Sequence, residues 1–242
     1  MNWLDYFQHN RANRRAIPWE AGLAVEPHLR AALIGSLRKF QVGESGEGRH
    51  LRAGARKTGD AGYARTIDLF IEEEQEHARL LARLIEALGG ALLYTHWSDL
   101  AFVALRRMMG LKLELMVLLA AELIAKRYYR ALDEATTNTV LSTVFGQIRE
   151  DEEGHIAFHL ETLNGTFGRW PWGARALAYS GWQWMFRIIS ALVAWDHRQL
   201  LRAVSVPPLE FWLDCNAIFE VAAWHVFRPA SSPDNRLLSP VQ

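Results

Sequence analysis

Two short segments, IEEEQEHARLL at 71–81 and REDEEGHIAFH at 149–159, concentrate carboxylates around histidine in a chain whose 27 acidic and 27 basic residues cancel. A shift of 78 residues lays one segment on the other: Glu44 falls on Glu122, Glu74 on Glu152 and His77 on His155. Arg49 and Arg127, Arg52 and Arg130, Ala53 and Ala131, Thr58 and Thr136, and Glu72 and Glu150 coincide as well. Each half thus reads Glu, an interval of 30 residues, then Glu-x-x-His. Residues three apart share a helix face, so Glu74 with His77, and Glu152 with His155, each present an oxygen and a nitrogen toward one point. Four carboxylates drawn into one buried volume repel one another and lose hydration, a cost that two divalent cations remove. Oxygen and imidazole donors suit iron or manganese. A single Glu-x-x-His is common on solvated acidic helices; the register of two of them with two further glutamates carries the metal reading.

The elements that must hold these residues read as helices. Pro27 opens a run to about Lys57 that carries Gly35, Gly43, Gly46, Gly48 and Gly54, tolerable where a backbone or ligand approaches closely. Further helices are expected over Gly62 to about Leu88, over the connecting stretch 96–110 capped at Ser98 or Asp99, over Leu111 to about Leu132, and over Thr137 to about Leu163, stopped by Asn164-Gly165. Strand signals are nearly absent. Long helices with one long crossover predict an all-α, ferritin-like four-helix bundle with a crossover helix and a C-terminal helical extension. The expected divisions are an N-terminal segment 1–26, the bundle 27–165, aromatic-rich helices packed on it over 166–230, and a loose tail 231–242.

At this level the chain resembles the ferritin-like superfamily of carboxylate-bridged di-iron proteins. QVGESGEGRHLRAGA at 41–55, EEEQEHARLLARLIEALG at 72–89 and ELIAKRYYRAL at 122–132 are most similar to demethoxyubiquinone hydroxylases, and less so to aldehyde deformylating oxygenases and rubrerythrins. The resemblance spans about residues 27–165; the last 75 residues match none of these families. It implies a site of two iron ions, or manganese with iron, with Glu44, Glu74 and His77 on one metal and Glu122, Glu152 and His155 on the other. Glu74 and Glu152 are the implied bridges. The implied function is that of a non-haem di-iron oxygenase or oxidase that activates dioxygen to hydroxylate, desaturate or cleave a small hydrophobic organic substrate. The alternative is an iron-handling protein that oxidises ferrous iron or detoxifies peroxide; an extension of this size has no obvious place in a cage subunit.

Neighbouring residues leave readings open. Glu47 and His159, each one turn from a ligand, are candidates for extra ligands; Glu47 aligns with Ala125, which favours Glu44. Tyr128 and Tyr129 either pack or hydrogen-bond the site, Arg49 and Arg127 are expected to pair with carboxylates, and Asp151, Glu73, Glu76 and Glu153 to point outward or bond supporting groups. The absence of net basic charge excludes nonspecific nucleic-acid binding. Cys215 is the only cysteine, which leaves no Cys-x-x-Cys metal knuckle and, with no dinucleotide fingerprint, implies an external electron donor or electrons from the substrate. MNWLDYFQHNRANRRAIPWE lacks the apolar core of an export signal, so a cytoplasmic setting is expected. Seven of ten tryptophans fall from Trp170 onward, in two helices parted by Pro207-Pro208. They are read as a cover for the bundle or a homodimer surface, with a substrate tunnel or a peripheral membrane contact as alternatives.

Overall fold

The computed structural model describes residues 1–93, 96 and 110–230, and these are all-α, with no strand among the described residues. The helices are α1 (Trp3–Ala12), α2 (Pro27–Glu44), α3 (Arg49–Lys57), α4 (Ala61–Ala87), α5 (Gly110–Ala135), α6 (Thr139–Phe167), α7 (Trp172–Asp196), α8 (Arg198–Ala203) and α9 (Pro208–Phe227), with a 3₁₀ turn at Trp19–Ala21. The helix expected over 96–110 and the loose tail 231–242 lie outside the described residues.

Local chemistry sets the boundaries of the long helices. Asp60 caps α4 by accepting from the Tyr63 N–H at 2.9 Å, and Asn138 caps α6 by accepting from the Leu141 N–H at 3.1 Å. Helix α4 buries Ile67, Phe70, Leu81 and Leu84 on the same stripe that carries His77. Helices α2 and α4 pack together, α5 lies along α6, and α4 meets α6, so one apolar core runs between them. Helix α9 covers α5 and α6, and α7 packs on α9.

Three sequence expectations change. The run from Pro27 to Lys57 is two helices rather than one: Gly48 adopts φ +60, and a Cβ there would stand 2.4 Å from Ile71 Cδ1. Only glycine serves both demands. The corresponding stretch of the second half stays continuous within α5. Helix α6 runs through Asn164-Gly165 to Phe167, because Asn164 Nδ2 donates to the carbonyls of His225, Val226 and Arg228 and buried Phe167 anchors the last turn. The N-terminal segment 1–26, for which the sequence reading names no element, contains α1. Its Phe7 packs edge-on against Phe70 and Phe158 and lies 5.9 Å from the His155 ring, while Tyr6 occupies the space that a side chain at Gly154 would need.

Gly48→Ala should lower the urea unfolding free energy of the metal-free protein by about 1–3 kcal/mol, the sum of left-handed backbone strain and displacement of Ile71. An unchanged unfolding midpoint would contradict this origin of the helix break.

Candidate metal centre

The six predicted residues come together. Glu44 is the last residue of α2, Glu74 and His77 lie on α4, Glu122 on α5, and Glu152 and His155 on α6. Their donor atoms form two groups, Glu44–Glu74–His77 and Glu74–Glu122–Glu152–His155, within each of which the atoms lie no more than 4.8 Å apart. Glu74 belongs to both. His155 Nδ1 is 3.0 Å from Glu74 Oε1 and 3.6 Å from both Glu122 Oε2 and Glu152 Oε2. His77 Nδ1 is 3.6 Å from Glu74 Oε1 and 3.8 Å from Glu152 Oε1. Glu152 therefore turns one oxygen toward each imidazole.

The cluster fits a cation. His77, Glu152 and His155 are fully buried, yet both Glu152 oxygens, Glu74 Oε1 and the Nδ1 atoms of both histidines lack any hydrogen-bond partner. Buried polar atoms in native proteins are nearly always satisfied, and five unsatisfied donor atoms aimed into one volume are what a metal would satisfy. Glu44 adds a second argument: its carboxylate sits at a helix C-terminus, where the helix dipole opposes negative charge and favours a cation.

The other ring nitrogens are fixed by Asp151 and Glu73, which support the cluster rather than point outward. His77 Nε2–H donates to Asp151 Oδ2 at 3.0 Å, and His155 Nε2–H donates to Glu73 Oε2 at 3.1 Å. Glu73 and Asp151 are themselves related by the 78-residue shift, and each serves the histidine of the opposite half. Arg14, from the segment after α1, joins them by donating to Glu73 Oε1 at 2.5 Å and Asp151 Oδ2 at 2.9 Å, while Gln147 Nε2 donates to Asp151 Oδ1 at 3.0 Å. This ties the Nε2 protons down and leaves the Nδ1 lone pairs facing the cluster. The Glu73–Asp151 match was a readable signal; Arg14 had none, because it has no counterpart in the repeat. Glu76 and Glu153 do face outward, bonded to Arg79 and Lys126.

The electrostatics follow from crowding. Burial, then the Glu74 carboxylate, holds Glu44 well above the ordinary carboxylate value; burial and Glu122 do the same for Glu152, and raise Glu74. Burial also works against ionised Glu122, but the adjacent Glu152 carboxyl and the His155 imidazole outweigh it and bring its carboxyl down to about 2. For His155, burial opposes the cation, yet the surrounding carboxylates raise it well above the usual imidazole value. Without metal, the cluster keeps itself near neutrality by holding protons.

One side of the centre is open. A cavity of about 400 Å³ reaches Glu44 and Glu74 and is lined by the Gly43–Gly48 break together with His50, Leu51, Phe70, Glu114 and Leu118. His50 Nδ1 donates to the buried Glu114 Oε2 at 2.7 Å. Under the 78-residue shift, Glu114, Leu118, His50 and Leu51 correspond to Ser36, Phe40, Tyr128 and Tyr129. On that side Phe40 stacks on Tyr128 at 4.0 Å, and the Ser36 hydroxyl bridges the Tyr128 hydroxyl and His197 Nδ1 at 2.7 and 2.5 Å. Aromatic rings thus plug the space that is hollow opposite.

Among the remaining candidates, Glu47 is exposed, pairs with Arg49 and belongs to neither donor group. His159 also lies outside both groups; it is buried edge-on to Phe70 with neither nitrogen partnered, and burial pushes it down to about 4. Tyr129 donates to Glu44 Oε1 at 3.4 Å, and Arg127 pairs with Asp214 at 2.8 Å. Comparison with protein-family models, with curated proteins and with solved structures gives no match.

Two measurements test this geometry. Glu44, Glu74, Glu152 and His155 are more protonated in the folded than in the unfolded chain, so their stabilisation is full below their unfolded values and is lost as pH rises through the folded ones. Glu122 and Asp151, held low, act oppositely and only in acid. The metal-free protein should therefore melt lower at about pH 8 than at about pH 6, and Mn²⁺ should narrow the difference; thermal melts in the four conditions decide it. Separately, Arg14→Leu should weaken metal affinity roughly 10–100-fold in chelator competition while the helical circular-dichroism signal is retained.

Proposed function

We propose that the chain is a ferritin-like four-helix-bundle protein in which α2, α4, α5 and α6 hold two iron ions, and that it activates dioxygen to oxidise a small, largely apolar organic substrate. The observation that supports it best is the pairing of two carboxylate–imidazole groups through shared Glu74, beside a one-sided cavity large enough for a small organic molecule. Iron bound there would supply the one-electron redox steps for reducing dioxygen. The four-electron balance takes two electrons from the substrate and two from an external donor, since a single buried cysteine and no dinucleotide fingerprint leave no internal source.

The chain's own residues do the rest. Asp151, Glu73 and Arg14 keep both imidazoles in the tautomer that offers Nδ1. Leu51, Phe70, Ile71 and Leu118 give the cavity an apolar wall that favours an apolar substrate over water. His50 and Glu114 place a hydrogen-bonded polar pair on the cavity wall, able to hold a proton or orient a polar substituent, and the Glu47–Arg49 pair lines it as well. Phe40, Tyr128 and Tyr129 close the opposite flank and confine access to one direction.

The protein loaded with ferrous iron should bind two ions per chain and consume oxygen in proportion to an added lipophilic substrate. Leu118→Trp, which fills the cavity, should keep the metals and lower substrate-dependent consumption by about tenfold or more, a change of at least 1.4 kcal/mol in barrier. A mineral core of many iron atoms per chain would favour iron handling instead, and metal binding without any oxygen or peroxide reaction would leave a purely structural role.

A further inference from the structure

Among the described residues, every large hydrophobic side chain that is more than about a third exposed, apart from Met1, lies between Trp170 and Trp224. On α7 the exposed positions are Trp172, Gly173, Ala174, Leu177, Ser180, Gly181, Trp184, Ile188, Ala191, Leu192 and Trp195, and none is charged. They form one helical stripe about 35 Å long at 1.5 Å per residue. On α9, Leu209, Leu213, Ala217, Val221 and Trp224 repeat the pattern at intervals of three or four. Both helices bury a second apolar face beneath, Trp182 and Phe186 on one and Phe211 and Phe219 on the other, so the exposed stripes are surplus to the core.

The charge around the stripes is sorted. Asp196 is held by Lys39 at 2.9 Å, Asp214 by Arg127, and Glu220 by Tyr179, Gln183 and Arg187. Glu210 sits in the first turn of α9, where the helix dipole offsets it. Arginines flank the tryptophans: Arg187 lies over Trp184 at 5.7 Å and Arg198 over Trp195 at 4.6 Å, with exposed Arg169 and Arg202 beyond the two ends of α7. The indole N–H groups of Trp172, Trp184, Trp195 and Trp224 make no hydrogen bond among the described residues. A protein partner of ordinary kind would be recognised by about one hydrogen bond per 100–200 Å², and beyond these four indole N–H groups and the Ser180 hydroxyl the stripes offer no polar side chain. Uncharged stripes carrying tryptophan, bordered by arginine with the acids engaged, match instead the apolar and anionic layers of a phospholipid surface. Among the described residues no helix is long and apolar enough to cross a membrane, so contact would be along the surface.

We propose that the outer face of α7 and α9 docks flat on an anionic lipid bilayer, with the indoles at headgroup depth and the arginines on phosphates. The metal centre takes no part in this inference, which stands or falls separately. The full chain should cosediment with phosphatidylglycerol-containing vesicles, weakly with pure phosphatidylcholine, and its tryptophan emission should be quenched by brominated lipid. The double substitution Trp184→Glu with Ile188→Glu alters only exposed side chains; it should lower vesicle affinity by about tenfold or more while helicity and metal content are unchanged. Arg198→Glu with Arg202→Glu should reduce the preference for anionic over neutral vesicles. Absence of vesicle binding by the unmodified chain overturns the proposal. So does a concentration-dependent dimer, seen by light scattering, that the Trp184/Ile188 substitution dissolves while vesicle binding is absent.

Discussion

Four carboxylates brought into a dry interior cannot all stay ionised without positive charge among them, and the rest of the protein is arranged around that constraint. The electrostatic cost of Glu44, Glu74, Glu122 and Glu152 at one point exceeds what a helical core would tolerate for packing alone. Protons relieve it partly, which is why Glu44 and Glu152 are held so far above their ordinary values. Divalent cations relieve it fully, and the unpartnered Nδ1 and carboxylate oxygens give them somewhere to bind. A buried charge cluster left uncompensated would be among the costliest features a chain could carry.

Around this centre the protein invests in orientation. Each imidazole is gripped from behind by a carboxylate of the other half, and one guanidinium spans both grips. The arrangement couples the two halves more tightly than the helix contacts alone, because turning one ring requires moving Arg14 and thereby the other. It also gives α1 a reason to lie where it does: Phe7 and Tyr6 seat the helix on Gly154, and the chain leaving it delivers Arg14.

The pseudo-twofold relation between the halves breaks down at the cavity. The six clustered residues and the Glu73–Asp151 supports obey it, while the residues one layer out do not. Where one flank stacks Phe40 on Tyr128, the opposite flank has Leu118 and His50 beside the break between α2 and α3, and the difference in side-chain volume is the cavity.

Periodicity and register in the amino-acid sequence were enough to establish the all-α class, the approximate limits of the three long helices α4, α5 and α6, and all six residues that converge. This is because i,i+3 spacing on a helix fixes which side chains share a face before any tertiary contact forms. The pairings of Arg49 and Arg127 with carboxylates were also legible, as were Glu44 over Glu47 and the outward placement of Glu76 and Glu153. Tertiary structure decided the remainder. The break at Ser45–Gly48 depends on Ile71 pressing against Gly48 from another helix, and the persistence of α6 past Gly165 depends on carbonyls 60 residues away in sequence. Arg14 and the His50–Glu114 pair unite residues far apart in the chain that no local pattern links. Which tryptophans face outward was likewise invisible, because α7 and α9 are apolar on nearly every side and only the packed neighbours show which side is left uncovered.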